Sequence, residues 1–359
     1  MTDLGSPLTF THGPSWNNRV GLAPLTNLQS NDDGTLSDDE FRWLVRRADG
    51  GFAMVMTCAA YVSRDGQSFP GQLGVSDDVH LPGLTRLAAA ISDAGAVASI
   101  QLQHGGRRAD PSLSGLPAVA PWDDSEKGAS ALSTDGVERI VRDFVSAAIR
   151  AERAGFDGAE IHGAHGYLLA QFLDSRHNER TDPYGGSASN RFRIIHEILD
   201  GIRAATGPDF QLGLRLSPER YGIVLDESRA LAGEVLAEGT LDYLDMSLWN
   251  AFKHPYEPHH QDRRLIDHFT DLDRGSTRLG VAGKILDAAG ARECLSRGAD
   301  FVLIGTGSIL HHDFARRAIA DADYRAVSTP VHVDHLTAES VGPRFVDYLA
   351  DRWDDFVIR

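Results

Sequence analysis

The strongest constraint on the fold is that short apolar runs of strand type alternate with longer helical patterns along all 359 residues. This alternation predicts a parallel sheet whose strands are joined by helical crossovers. Several runs are almost entirely apolar, which is typical of strands buried on both faces. The eight predicted strands are residues 19–25, 52–59, 96–103, 158–162, 211–216, 241–247, 279–282 and 301–304. Eight strand–helix units predict an α/β fold, a (β/α) TIM barrel in which residues 1–359 form a single domain.

The segments between the strands agree with this barrel. Amphipathic patterns, many opened by a Ser, Thr, Asp or Asn cap, predict helices at 84–94, 134–154, 190–205, 228–237 and 288–297. We also expect an N-terminal hairpin over 4–11 that closes the barrel bottom, and a final amphipathic helix over 340–356. Residues 109–134 are rich in Pro, Ser, Asp and Gly and are predicted to form an extended loop. Long βα loops are where barrels usually carry their function.

Charge and hydropathy narrow the class of partner. The chain has 51 acidic and 35 basic residues, a net charge of -16, which disfavours nucleic acid and anionic lipid as partners. No uncharged apolar run is long enough to cross a bilayer, and the N-terminus lacks the pattern of a secretory signal. We therefore expect a cytoplasmic protein that acts on a small-molecule substrate. Composition leaves both a monomer and a homo-oligomer open.

The cysteines exclude some redox centres. Cys58 and Cys294 are the only two, and they form no Cys-x-x-Cys motif. An iron–sulfur cluster or a structural zinc site would need more thiolate ligands than this chain offers. We therefore predict no metal site.

The richest cluster of polar residues follows the fourth predicted strand. There an apolar run ends in His162, His165 and Tyr167. Active sites of barrels lie at the C-terminal ends of the strands. Two imidazoles three residues apart can polarise one carbonyl oxygen, while a nearby phenol supplies a proton. Spacing alone leaves a metal pair or two packed histidines equally open.

Several longer motifs carry a family resemblance. They are Asn-Arg-Val-Gly-Leu-Ala-Pro-Leu-Thr at 18–26, Ile-Gln-Leu-Gln-His-Gly-Gly-Arg at 100–107, His-Gly-Ala-His-Gly-Tyr-Leu-Leu at 162–169, Gln-Phe-Leu at 171–173, Asn-Glu-Arg-Thr-Asp-Pro-Tyr-Gly-Gly-Ser at 178–187, Asn-Arg at 190–191 and Leu-Arg-Leu-Ser at 214–217. In this order and at predicted strand ends, they make the chain resemble the Old Yellow Enzyme family of FMN-dependent reductases over nearly its whole length.

The resemblance implies an ene-reductase that binds FMN and uses NADPH or NADH as reductant. His162 and His165 would bind the carbonyl oxygen of an α,β-unsaturated substrate, so that hydride from flavin N5 adds at the β-carbon. Tyr167, a weak acid with an ordinary pKa near 10, would protonate the α-carbon. Trp249 would line the substrate or nicotinamide pocket, although a role in loop packing is equally open.

The resemblance also assigns flavin contacts. Thr26 would lie beside the flavin C4 carbonyl, and the Gln101 amide would bind the edge of the pyrimidine ring. Arg215 would stabilise negative charge near flavin N1 and O2. The remaining contacts to the ring are expected from Ala23, Pro24, Leu25, Ala59 and His162.

The segment expected to bind the FMN phosphate departs from the family pattern. Relatives usually carry an arginine after the eighth strand, where this chain has Thr306. Backbone N–H groups of Gly283, Gly305 and Thr306 could still hold the phosphate at a helix start, with Lys284 or the Thr306 hydroxyl compensating. The lost arginine is worth on the order of 1.5–3 kcal/mol. One alternative function keeps the flavin and the fold but is nitro reduction or a dehydrogenation. A second, for which Thr306 is the reason, is a binding protein with weakened FMN affinity.

Overall fold

Eight parallel strands close into one barrel in the computed structural model, which describes residues 3–359. The strands are β1 Val20–Leu22, β2 Met54–Tyr61, β3 Val97–Gln103, β4 Gly158–Gly163, β5 Gln211–Leu216, β6 Tyr243–Ser247, β7 Arg278–Ala282 and β8 Phe301–Ile304. Each pairs in parallel with the next, and β8 pairs with β1 through Val302 and Val20. The predicted barrel and all eight strand positions are confirmed.

Strand β1 is shorter than the predicted 19–25. The backbone N–H of Ala23 still donates to Ile304, at 3.1 Å. Pro24 has no N–H with which to continue the ladder. Residues 23–26 therefore leave the barrel wall at its C-terminal end.

The helices mostly follow the predicted segments. They are α1 Asp38–Asp49, α2 Leu81–Asp93, α3 Pro111–Ser114, α4 Thr134–Arg153, α5 Leu168–Leu173, α6 Ala188–Ala205, α7 Leu225–Glu238, α8 Asp267–Thr270, α9 Ala288–Ser296, α10 Thr306–Leu310, α11 Phe314–Ala320, α12 Val333–Ala338 and α13 Pro343–Arg352. Among residues 3–359, none of these helices has both the length and the apolar character that a membrane span requires.

Helix α4 shows how the sequence builds the outer layer. Ser133 caps it by accepting a hydrogen bond from the N–H of Gly136. Its buried side chains recur every three or four residues and include Val137, Ile140 and Phe144. Burying each contributes about 1.5–3 kcal/mol relative to exposure. This stripe packs α4 against strands β3 and β4 of the barrel and against helix α6.

The N-terminal segment closes the barrel bottom, although not as the prediction placed it. Leu8 and Trp16 form an antiparallel bridge, so the hairpin extends beyond residues 4–11. The Trp16 ring lies 5.7 Å from Tyr243 and 4.9 Å from Phe301, ring centre to ring centre, at the starts of two strands. The position of the hairpin turn depends on the packing of the Trp16 ring against Tyr243 and Phe301. Local sequence does not reveal these contacts.

Two further segments carry more structure than predicted. The loop 109–134 contains α3 and a pair of two-residue strands, Val119–Ala120 and Ser130–Ala131. The predicted C-terminal helix over 340–356 is present as α13, and the tail after it pairs with Val331–His332. This pairing joins the chain that follows α13 to the segment that precedes α12.

Candidate active site

A cavity of about 280 Å³ lies at the C-terminal ends of the strands, and we call it the mouth cavity. Most of the predicted site residues line it, namely Pro24, Leu25, Thr26, Ala59, Gln101, His162, His165, Tyr167, Arg215 and Trp249. A larger groove of about 550 Å³ beside α13 contains none of them. The reactive side chains are therefore concentrated in the smaller cavity, where barrel enzymes carry their chemistry.

The two histidines face each other within the mouth cavity. Nδ1 of His165 lies 3.3 Å from Nε2 of His162, and Nε2 of His165 lies 2.8 Å from the Ser247 hydroxyl. His165 adopts a φ of 60°, and its backbone N–H donates to the Ser217 hydroxyl at 3.0 Å. This strained conformation brings its ring toward His162. Nδ1 of His162 is buried and has no hydrogen-bond partner in the described part of the chain.

Both imidazoles are neutral at physiological pH. Burial, followed by the charges of Arg215 and Arg108, lowers the pKa of His165 to about 3. Burial is also the largest reason that the pKa of His162 lies well below its ordinary value. A neutral imidazole can donate one hydrogen bond without giving up its proton, which suits the polarisation of a carbonyl group.

Among the described residues, no third potential metal ligand lies beside His162 and His165. The described residues contain two clusters of three potential metal ligands, Asp226 with His259 and His260, and His311 with His335 and Glu339. Neither cluster includes the histidines of the mouth cavity.

Tyr167 completes the group. Its ring lies 5.2 Å from the His162 ring, centre to centre, and 4.4 Å from the Arg108 guanidinium carbon. Burial raises the pKa of Tyr167 above its ordinary value, with Arg108 opposing this. The phenol therefore keeps its proton at neutral pH. The three predicted catalytic side chains converge on one cavity.

Two buried acidic residues lie below the mouth cavity, and sequence reasoning gave them no role. Gln101 donates its amide to Glu160 at 2.8 Å, and Arg215 Nε lies 2.7 Å from Asp245. Burial raises the pKa of Glu160 to about 8, with the nearby Asp245 charge adding to it and Arg215 opposing it. Burial likewise raises the pKa of Asp245 to about 6. The sequence feature that could have identified them is an acidic residue within an otherwise apolar predicted strand. Such a carboxyl group is buried and therefore needs a polar partner.

Helix α13 forms a roof over the mouth cavity. Phe345, Tyr348, Leu349 and Arg352 line the cavity from one stripe of this helix. Their spacing of three or four residues is that of one helix face. The predicted amphipathic pattern was the available signal, but it did not indicate what the helix covers.

Trp249 lies at the rim and is 44% exposed. It has a φ of 60°, and its ring centre lies 6.1 Å from that of His165. The guanidinium carbon of Arg220 lies 4.6 Å from its ring centre. Its exposure at the cavity rim leaves it available to contact a ligand.

The other predicted cofactor residues lie outside the mouth cavity. They are Ala23, Gly283, Lys284, Gly305 and Thr306. A Cβ on Gly283 would lie 2.9 Å from the backbone nitrogen of Ala251, so only glycine fits there. Gly305 is the N-cap of α10, and a Cβ there would lie 3.4 Å from Leu25 Cδ2. Gly283 and Lys284 therefore follow β7, Gly305 and Thr306 follow β8, and Ala23 follows β1, all at the end of the barrel that carries the mouth cavity.

Comparison with known proteins defines the class. Residues 3–323 match the NADH:flavin oxidoreductase / NADH oxidase family. The chain belongs to this family, which includes Old Yellow Enzyme, as its motifs predicted. It is an NAD(P)H-dependent flavin oxidoreductase.

Individual relatives agree with this assignment. The chain is 37% identical to the probable NADH-dependent flavin oxidoreductase YqiG of Bacillus subtilis over 84% of each sequence. It matches the Old Yellow Enzyme homologue from Zymomonas mobilis with a TM-score of 0.79 and 26% identity, covering 93% of this chain and 96% of that one. It is also 30% identical to the NADH:acrylate oxidoreductase of Vibrio harveyi over 89% of its own length, but spans only 33% of that protein.

The mouth cavity has the donor set that an isoalloxazine ring requires. Gln101 and Arg215 offer hydrogen-bonding groups at its buried end, while Pro24 and Ala59 provide apolar contact. The unpartnered Nδ1 of His162 is a buried polar atom that a bound molecule would satisfy. These residues fit a flavin.

Proposed function

We propose that residues 1–359 act as one FMN-binding domain that reduces the activated C=C bond of α,β-unsaturated carbonyl compounds in the cytoplasm. The observation that carries this proposal is the convergence of two neutral imidazoles and a protonated phenol on one cavity. NADPH or NADH is the reductant. A single cavity serves the nicotinamide and the alkene in turn.

The flavin would be held by two groups of residues. Thr26, Gln101 and Arg215 would bind its polar edge, with His162 and the backbone from Ala23 to Leu25, together with Ala59, in contact with the ring. Gly283, Lys284, Gly305 and Thr306 would hold the phosphate. When bound, FMN supplies a hydride that it has accepted from the nicotinamide.

His162 and His165 act together on the carbonyl oxygen of the substrate. When Nδ1 of His165 donates to Nε2 of His162, Nδ1 of His162 carries its own proton and is free to donate to a ligand. Ser247 then donates to Nε2 of His165. In this arrangement the Nδ1–H of His162 is the direct donor that stabilises the negative charge on oxygen as hydride adds to the β-carbon, and His165 and Ser247 hold His162 in the tautomer that can donate.

Tyr167 provides the proton. As the β-carbon gains hydride, the C=C electron pair moves toward the carbonyl, and the α-carbon takes the phenolic proton. The product is the saturated carbonyl compound, and a phenolate remains on Tyr167. The Arg108 guanidinium, 4.4 Å from the ring centre, stabilises that phenolate.

The test combines flavin content with two separate half-reactions. We expect purified protein to be yellow and to release FMN on denaturation. Under anaerobic stopped-flow conditions, NADPH or NADH should bleach the flavin, and 2-cyclohexen-1-one should reoxidise it. Protein that remains colourless after FMN addition would contradict flavin binding. Reoxidation by a nitroarene but not by any enone would instead support the nitro-reducing alternative.

A further inference from the structure

The mouth cavity is cationic in an acidic chain. The sequence carries a net charge of -16, yet the cavity lining includes Arg108, Arg215 and Arg352 and, among the described residues, no aspartate or glutamate. The charge of Arg215 is balanced by Asp245, 2.7 Å away. The other two arginines therefore determine the sign of the field that a ligand meets.

Arg108 is positioned by the catalytic residues themselves. Its Nη1 donates to the backbone carbonyl of His165 at 2.5 Å, and its guanidinium carbon lies 4.4 Å from the Tyr167 ring centre. Among residues 3–359, no carboxylate lies within 4.0 Å of this guanidinium. Its neighbour Arg107, by contrast, forms a salt bridge with Asp124 at 2.8 Å. The remaining N–H groups of Arg108 are free to bind a ligand.

Arg352 comes from the roof helix α13. It too has no carboxylate within 4.0 Å in the described part of the chain, although Asp347 and Asp351 of the same helix line the neighbouring groove. Both arginines line the mouth cavity together with Tyr167 and Tyr348. Burial raises the pKa of both phenols, and the charges of Arg108 and Arg352 oppose this. The two guanidinium groups thus lie near the same part of the cavity, beside the proton donor.

We propose that Arg108 and Arg352 bind a carboxylate of the substrate, so that the preferred substrates are α,β-unsaturated carbonyl compounds bearing an anionic group. This inference rests on the proposed function. Guanidinium groups pair with carboxylates through charge-assisted, often bidentate, hydrogen bonds. The phosphates of NADPH or NADH offer the same oxyanion chemistry. A substrate carboxylate fits better, because Arg108 contacts His165 and Tyr167, whereas ribose separates those phosphates from the nicotinamide ring.

The first arm of the test compares two substrates that differ only in charge. These are 6-oxohept-4-enoate and its methyl ester, in which the carboxyl group is not conjugated with the alkene. We expect the wild-type protein to favour the acid by about tenfold or more in kcat/KM of the oxidative half-reaction. Arg108→Gln, Arg352→Gln and the double variant should each reduce the acid-to-ester ratio, and the double variant should bring it near one. The ratio cancels any effect on the chemistry that both substrates share.

Arg344→Gln is the matched control, because Arg344 lies on the same helix and pairs with exposed Asp32 at 3.0 Å. This variant should retain the wild-type ratio. A wild-type ratio at or below one overturns the proposal while leaving enone reduction intact. The proposal also fails if neither Arg108→Gln nor Arg352→Gln changes the acid-to-ester ratio. If the variants instead raise only the KM for NADPH or NADH in the reductive half-reaction, the arginines bind nicotinamide phosphates and the proposal fails.

A second readout does not depend on turnover. Saturated 6-oxoheptanoate and its methyl ester are titrated into the oxidised holoprotein, and binding is followed through the flavin absorbance and, in parallel, by calorimetry. The acid should bind about tenfold more tightly than the ester, and the double variant should abolish the difference. Equal affinity in the wild type contradicts anion binding. Preferential acid binding without any enone reduction would overturn the proposed reaction and keep the anion site.

Discussion

The buried carboxyl of Glu160 should make the stability of this protein fall as pH rises. Glu160 is fully buried, and its pKa is raised from an ordinary 4.5 to about 8. The folded protein therefore holds a proton between these values that the unfolded chain has released, so stability declines across this range. Each pKa unit corresponds to about 1.4 kcal/mol, so the loss between pH 5 and pH 8 is on the order of 2–4 kcal/mol.

Glu160→Gln removes this titration and keeps an oxygen for the hydrogen bond from Gln101. We expect the variant to lose on the order of 2–4 kcal/mol less than the wild type between pH 5 and pH 8, measured by urea unfolding of the flavin-loaded protein. Glu126→Gln, which removes an exposed carboxylate that has no ion-pair partner within 4.0 Å among the described residues, is the control and should follow the wild type. Equal pH slopes for the Glu160→Gln variant and the wild type would refute the reasoning.

Three smaller predictions address the remaining parts of the molecule. Thr306→Arg restores the arginine usual in relatives and should tighten FMN binding by about tenfold to a hundredfold in fluorescence titrations; unchanged affinity would place the phosphate elsewhere. Phe144→Ala should destabilise the protein by about 3–5 kcal/mol in urea unfolding, and a loss below 1 kcal/mol would contradict its core position. Ser247→Ala should weaken substrate binding because His165 loses a hydrogen-bond partner at 2.8 Å. An unchanged KM would count against the tautomer in which Ser247 donates to Nε2 of His165.

The strands and the mouth cavity were predictable because they depend on local pattern. Apolar runs bounded by helical periodicity identify the strands of a parallel barrel. The C-terminal ends of these strands meet on one face of the barrel, so the sequence alone predicts that His162 and Arg215 lie near each other. They are in fact neighbours in the register of β4 and β5.

The pairs below the cavity were not predictable because they depend on strand register. Gln101 lies opposite Glu160 between β3 and β4, and Arg215 lies opposite Asp245 between β5 and β6. One residue of slippage would separate each pair, and the register of nearly all-apolar strands cannot be read from the local pattern of one sequence. The position of α13 over the mouth cavity was not predictable for a similar reason. Its amphipathic pattern indicates that one face is buried, but not which surface that face packs against.

The most direct test of the central claim is the behaviour of Tyr167→Phe in the two half-reactions. If Tyr167 supplies the proton to the α-carbon, reduction of the flavin by NADPH or NADH should proceed at nearly the wild-type rate. Reoxidation by 2-cyclohexen-1-one should slow by about 10²–10⁴-fold. Equal slowing of both half-reactions, or an unchanged rate of reoxidation, would contradict the assignment of Tyr167 as proton donor.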